Sequence, residues 1–251
     1  MPAPLIITHR GASFDAPENT LAAFRLAWQQ NADGAEGDFQ LTCDGQIICM
    51  HDLTTGRTAS ADRVVSQSTF DELRKLDVGI WKHPRFTSEP IPTLDEILAL
   101  LPPRKLFFIE IKCGPEILPP IREAIARSNA STDQLRILCF DAAVIATARE
   151  MLPAIRAHWL VDYSIVPATN AKTPTPQAIL KTLREISASG FNSHADTAVL
   201  TAKFVTELHA AGFEVAAWTV DDPSLAGQLT RAGVEFITTN RPGWLREQLR
   251  A

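Results

Sequence analysis

Residues 5–41, LIITHRGASFDAPENTLAAFRLAWQQNADGAEGDFQL, decide how the rest of the chain is read. Leu5 to Thr8 form a short apolar run with strand character, and the run stops at His9, Arg10 and Gly11. A base, a cation and a glycine at the end of such a run mark a strand that delivers reactive groups to a site. Gly11 is expected to let the chain turn away without crowding a bound anion. Past Pro17 and Glu18, Asn19 is the expected helix N-cap, and Leu21, Phe24 and Trp28 recur at the spacing of one buried helical face. GAEGDFQL, at 34–41, then reads as a second strand.

The same alternation continues to the far end. Strand candidates follow at KLFFIEIK (105–112), LRILCF (135–140), IRAHWLV (155–161), GFNSHA (190–195), FEVAAWTV (213–220) and VEFITT (234–239), nearly all separated by amphipathic helical runs. Eight strands in this rhythm predict an α/β fold, a TIM (β/α)8 barrel, with a doubly wound sheet as the alternative. Gly190, Gly212 and Gly233 stand just before strands, where a left-handed glycine ends a helix. Only residues 53–92 break the pattern. They are too long for a bare loop and are expected as a small insertion within a single domain spanning 1–251. Thr69 and Glu72 form a capping box there, and Trp81, His83 and Phe86 supply aromatic surface. The insertion is expected either to wall the site or to pack on the barrel rim.

With 251 residues and 45% apolar content, the chain can fill a sizeable core. A net charge of −5 argues against a nucleic-acid surface but leaves room for a small cationic pocket that takes one phosphate. Cys43, Cys49, Cys113 and Cys139 match neither a metal spacing nor a disulfide framework, so reduced core or near-core thiols and a cytoplasmic location are expected. The start of the chain lacks a basic region and a long apolar stretch, so neither a signal nor a stable membrane association is expected.

Glu36 and Asp38 are two apart in a strand and therefore share a face. In FFIEIKC, Phe108, Glu110 and Lys112 likewise share one face. Buried charges need partners. A barrel would gather Glu36, Asp38 and Glu110 at one end, as an oxygen-ligand set suited to Mg²⁺ or Ca²⁺, with Mn²⁺ as a further option. His9 and His51 end strand candidates that reach the same rim. Two imidazoles beside a bound phosphodiester serve as general base and general acid, with Arg10 and Lys112 neutralising the phosphate. His83, His158, His194 and His209 keep structural readings.

The motifs HRG (9–11), PENT (17–20), EGD (36–38), HD (51–52), IPTLDEIL (91–98), EIK (110–112) and WTVDD (218–222) together resemble the glycerophosphodiester phosphodiesterase family. The resemblance implies a TIM barrel with an insertion after HD, hydrolysis of a small glycerophosphodiester to sn-glycerol 3-phosphate and an alcohol, and a divalent cation. It implies His9 and His51 as the acid/base pair and Glu36, Asp38 and Glu110 as metal ligands. Arg10 and Lys112 become phosphate contacts, and Trp218 a substrate-lining aromatic. Two positions depart from the family pattern: Asn240 stands where an aspartate is usual, and Cys139 where a serine is usual. The other readings are a phospholipase D-like or phosphatidylinositol phospholipase C-like lipid phosphodiesterase, a barrel with Lys112 as Schiff-base lysine, and a catalytically silent ligand-binding barrel. Oligomeric state is not legible.

Overall fold

The structure, a computed structural model, describes residues 3–167 and 171–250. Eight parallel strands close into a barrel: β1 (Leu5–Thr8), β2 (Gly34–Leu41), β4 (Leu106–Ile111), β5 (Leu135–Cys139), β6 (Arg156–Val161), β9 (Gly190–His194), β10 (Glu214–Trp218) and β11 (Phe236–Thr239). Closure is made by β1, which pairs with β2 on one side and β11 on the other. These are the eight runs expected from the sequence. Two further pairings lie outside the barrel wall. β3 (Ile47–Cys49) folds back antiparallel on β2 after a turn at Gly45, and β7 (Ser164–Val166) and β8 (Ala171–Thr173) form a hairpin that hydrophobic pattern did not reveal.

Helices α1 (Leu21–Gln29), α3 (Leu94–Leu98), α4 (Leu118–Arg127), α5 (Ala142–Met151), α6 (Pro176–Glu185), α7 (Ala202–Ala210), α8 (Pro223–Ala232) and α9 (Pro242–Gln248) connect the strands or follow the last one. One strand face packs against the helices. Phe24, Phe107, Ile109, Ile137, Phe191, Val215 and Ile237 belong to that outer core. Phe24 is fully buried, while Leu21 and Trp28 pack against the core from partly exposed positions.

The other strand face fills the barrel in tiers, as inward residues alternate with outward ones. Ile7, Phe108, Leu138, Leu160, Ala216 and Phe236 make an apolar middle tier. Beneath it, Arg136 pairs with Glu214 at 2.8 Å, and His158 meets the same carboxylate at 2.7 Å. Burial alone would raise the Glu214 carboxyl, but His158 and Arg136 outweigh it and hold it at about 2. His158 is thus a structural group, as its sequence context suggested.

Several expectations change in detail. Thr20, not Asn19, caps α1: its side chain accepts from Ala23 N–H, and Asn19 is turned to the site instead. Gly212 and Gly233 have the expected left-handed backbone, whereas Gly190 does not and belongs to β9. A Cβ on Gly190 would stand 2.6 Å from the His158 ring, so glycine there makes room for the tier beneath the core. Gly11 does have φ of 76°, but the reason is packing on α1, since a Cβ would meet Ala23 Cβ at 2.6 Å. Cys43 is exposed in the β2–β3 turn rather than near the core.

The segment after His51 holds α2 (Phe70–Leu73) and its capping box, on a small core of Ile48, Met50, Val65, Leu73, Val78 and Ile91. It is tied to the β1–α1 loop by Lys82 Nζ donating to Ser13 O and by Arg85 donating to Asp15 O. Arg57 reaches across from the same segment to Glu18. Among the described residues, no helix is long and apolar enough to cross a membrane.

Candidate active site

The carboxyl ends of the strands surround a cavity of about 190 Å³. His9, Arg10, Glu36, His51, Glu110, Lys112 and Trp218 all line it. Asp38 completes the group from just beneath, 1% exposed. Every site residue expected from the sequence therefore lies in or against one cavity.

The carboxylates come from two adjacent strands. Asp38 on β2 stands directly opposite Glu110 on β4, and one oxygen from each of Glu36, Asp38 and Glu110 lies within 4.8 Å of the others. Burial, then the charges of Asp38 and Glu110, raises the Glu36 carboxyl well above its ordinary value. Burial and Asp38 push Glu110 up to about 7. Three buried acids this close repel one another unless cations lie between them. Lys112 Nζ is 2.7 Å from Glu110 and 3.7 Å from Asp38, and Arg10 Nε is 3.2 Å from Asp38. Glu36 Oε1 is buried and has no partner among the described residues. A free buried carboxylate oxygen facing two other acids fits a hard divalent cation.

The β1–α1 loop is shaped around this cluster. Arg10 has φ of 57° and Gly11 follows with another positive φ, which points the Arg10 N–H at Glu36 Oε2, 2.9 Å away. Asn19, also left-handed at 58°, donates from Nδ2 to Asp38 Oδ2 at 2.8 Å and accepts the Asp38 N–H on Oδ1. Asparagine tolerates that backbone better than most residues. Its role as a second-layer clamp on Asp38 was hidden in PENT, where only the helix start was legible.

The two histidines are held by different chemistry. His9 Nδ1 lies 2.8 Å from Asn240 Oδ1. Asn240 donates its Nδ2 to Asp221 Oδ2 at 2.6 Å, so the oxygen is the atom that faces His9, and His9 Nδ1 carries the proton. Its Nε2 is left as an acceptor. Burial, then the Arg10 charge, lowers the His9 pKa. His51 Nδ1 instead meets the Asp52 carboxylate at 2.6 Å. Hydrogen bonds from Arg57 outweigh burial and, with His51, hold Asp52 at about 2. Arg57 also binds Glu18, which it and Arg10 bring to about 2 against the opposing effect of burial. Asp52, Arg57, Asp221 and Asn240 were missed as working residues, although HD and WTVDD already pointed to two of them.

The opposite wall is aromatic. Phe140 and Trp218 meet edge to face at 5.6 Å, His194 packs on Trp218 in the same manner, and Lys112 lies 5.8 Å from the Phe140 ring centre. Trp218 is where the motif expectation put it.

A sequence profile described as the glycerophosphoryl diester phosphodiesterase family matches residues 9–244. The chain belongs to that family. It is, in kind, a glycerophosphodiester phosphodiesterase. The glycerophosphodiester phosphodiesterase of Caldanaerobacter subterraneus subsp. tengcongensis is 31% identical over 242 residues, covering 95% of this chain and 94% of that protein. Among solved structures, an Oleispira antarctica phosphodiesterase in complex with the product sn-glycerol-3-phosphate superposes with a TM-score of 0.86 at 28% identity, covering 99% and 98% of the two chains. The Thermotoga maritima glycerophosphodiester phosphodiesterase shares the fold at a TM-score of 0.78 and 20% identity, covering 98% and 99%.

Proposed function

We propose that the whole chain works as one phosphodiesterase domain that hydrolyses small glycerophosphodiesters, such as glycerophosphocholine or glycerophosphoethanolamine, to sn-glycerol 3-phosphate and an alcohol. The observation that carries this reading is the pairing of two histidines on one small cavity, one against an amide and one against a carboxylate. His9, with its Nδ1 proton fixed on an amide oxygen and its Nε2 free to accept, is the general base, and His51, braced by Asp52, is the general acid that protonates the departing alcohol.

Glu36, Asp38 and Glu110 hold a divalent cation, Mg²⁺ or Ca²⁺ with Mn²⁺ as an alternative, and when bound it neutralises charge on the phosphate. Arg10 and Lys112 steady the same anion from either side of Asp38. Trp218 packs on the glycerol end. The cavity volume suits a deacylated substrate better than a phospholipid with its acyl chains. The substrate class and a net charge of −5 fit a cytoplasmic enzyme that works without nucleic acid or stable membrane contact. Glycerol 3-phosphate release from a panel of glycerophosphodiesters, measured with and without chelator, tests the reading. Release from several members that stops with chelator is the expected result, and release from none would refute it.

A further inference from the structure

Beneath the cavity the side chains are apolar except for Asn192 and Thr238. Asn192 stands on β9 opposite Leu160 of β6 and Ala216 of β10, both members of the apolar middle tier. Its neighbour Phe191 belongs to the outer core, so Asn192 faces the barrel interior. Asn192 is 2% exposed and lines the cavity floor with Leu138 and Leu160. Among the described residues, its Oδ1 has no hydrogen-bond partner. An unpaired buried carbonyl costs about 1–3 kcal/mol, a cost that an apolar residue there would avoid. Its neighbour on β10, Ala216, is small.

The geometry points to Asn192 as the residue that reads the glycerol end of the substrate, with Oδ1 accepting a hydrogen bond from the terminal hydroxyl. The inference rests on the proposed function. With the phosphate held by Arg10 and Lys112 at the rim, the three-carbon chain would run inward past Trp218 toward Leu138 and Leu160, which line the same cavity. The hydroxyl farthest from phosphorus is the first donor to reach the floor. A site built around a buried acceptor rejects an analogue that lacks the donor, because the acceptor then stays unpaired. Trp218 supports the arrangement from above by donating its indole N–H toward the Asn192 backbone oxygen at 3.4 Å.

The test compares, with Mg²⁺ present, hydrolysis of glycerophosphoethanolamine and of the matching propane-1,2-diol diester, in which the terminal hydroxymethyl is a methyl. The wild-type enzyme is expected to prefer the glycerol substrate by about tenfold or more in kcat/KM. Asn192→Leu and Asn192→Ala should bring that ratio close to one by losing rate on the glycerol substrate alone. Equal rates in the wild type, or an unchanged ratio in a folded variant, would overturn the assignment. If both variants fail to fold, calorimetric binding of glycerol 3-phosphate against propane-1,2-diol 1-phosphate to the wild type decides it in the same terms. A wild type that hydrolyses neither diester refutes the phosphodiesterase reading itself, and the assignment falls with it.

Discussion

His9 and Asn240 are 231 positions apart in the chain and 2.8 Å apart at the site, Nδ1 to Oδ1. The amide is held by Asp221, which accepts from both Asn240 Nδ2 and Asn240 N–H. A carboxylate is thus present but lies one residue behind the histidine. Combining Asn240→Asp with Asp221→Asn exchanges the two groups in place. A carboxylate against the ring raises an imidazole pKa, so the acidic limb of the kcat/KM profile should move up by about one unit. A limb that does not move would mean that His9 is not the group whose deprotonation activates the enzyme.

The two histidines should separate by leaving group. A general acid typically contributes roughly 10²- to 10⁴-fold when an alkoxide must be protonated, and little when the leaving group is a stable anion. His51→Ala should be severely slowed on glycerophosphocholine and much less on a nitrophenyl ester of glycerol phosphate. His9→Ala should be slowed on both. Rescue of His9→Ala by the activated ester would exchange the roles.

The metal-free protein should lose stability as pH rises. Glu36 and Glu110 have folded pKa values above the ordinary 4.5, Glu110 at about 7. Between those values the folded state holds protons that the unfolded chain releases, so the stabilising contribution is complete below pH 4.5 and is lost through about pH 7. Thermal melting of chelated protein should show this fall, and Mg²⁺ should restore the lost stability at pH 8. Glu110→Gln should weaken that rescue. A melting temperature indifferent to Mg²⁺ at pH 8 would count against the metal site.

Gly190→Ala should destabilise the fold without touching the chemistry. The added methyl meets the His158 ring at 2.6 Å and the Glu214 carbonyl oxygen at 2.9 Å, and His158 is pinned by Glu214. Overpacking of this kind costs about 1–3 kcal/mol. For a chain of this size that lowers the melting temperature by roughly 2–4 °C per kcal/mol. An unchanged melting temperature would mean that the tier beneath the core can shift to absorb it.

The barrel was legible because strand and helix periodicities alternate along the chain on both sides of residues 53–92, and the acids were legible because E-x-D and E-x-K in strands must share a face. Asn19 and Asn240 were harder to read. An asparagine carries no charge and fits many local roles, so its link to Asp38 or His9 exists only once β1, β2 and β11 are side by side. Asn192 was invisible for a related reason, since its oddity is a missing partner and not a pattern. The β7–β8 hairpin has strands of three residues, and its Ile165 and Val166 are exposed, so no buried face marks it.

The first and last strands close the barrel side by side, and His9 and Asn240 follow them directly. During synthesis, His9 therefore leaves the ribosome 231 residues ahead of its amide partner. Until β11 is made, β1 also lacks a neighbour along one edge. A nascent chain stalled before residue 236 would hold the acids, both histidines and Lys112 but neither a closed barrel nor an oriented base. The oriented base therefore depends on β11 as much as on β1.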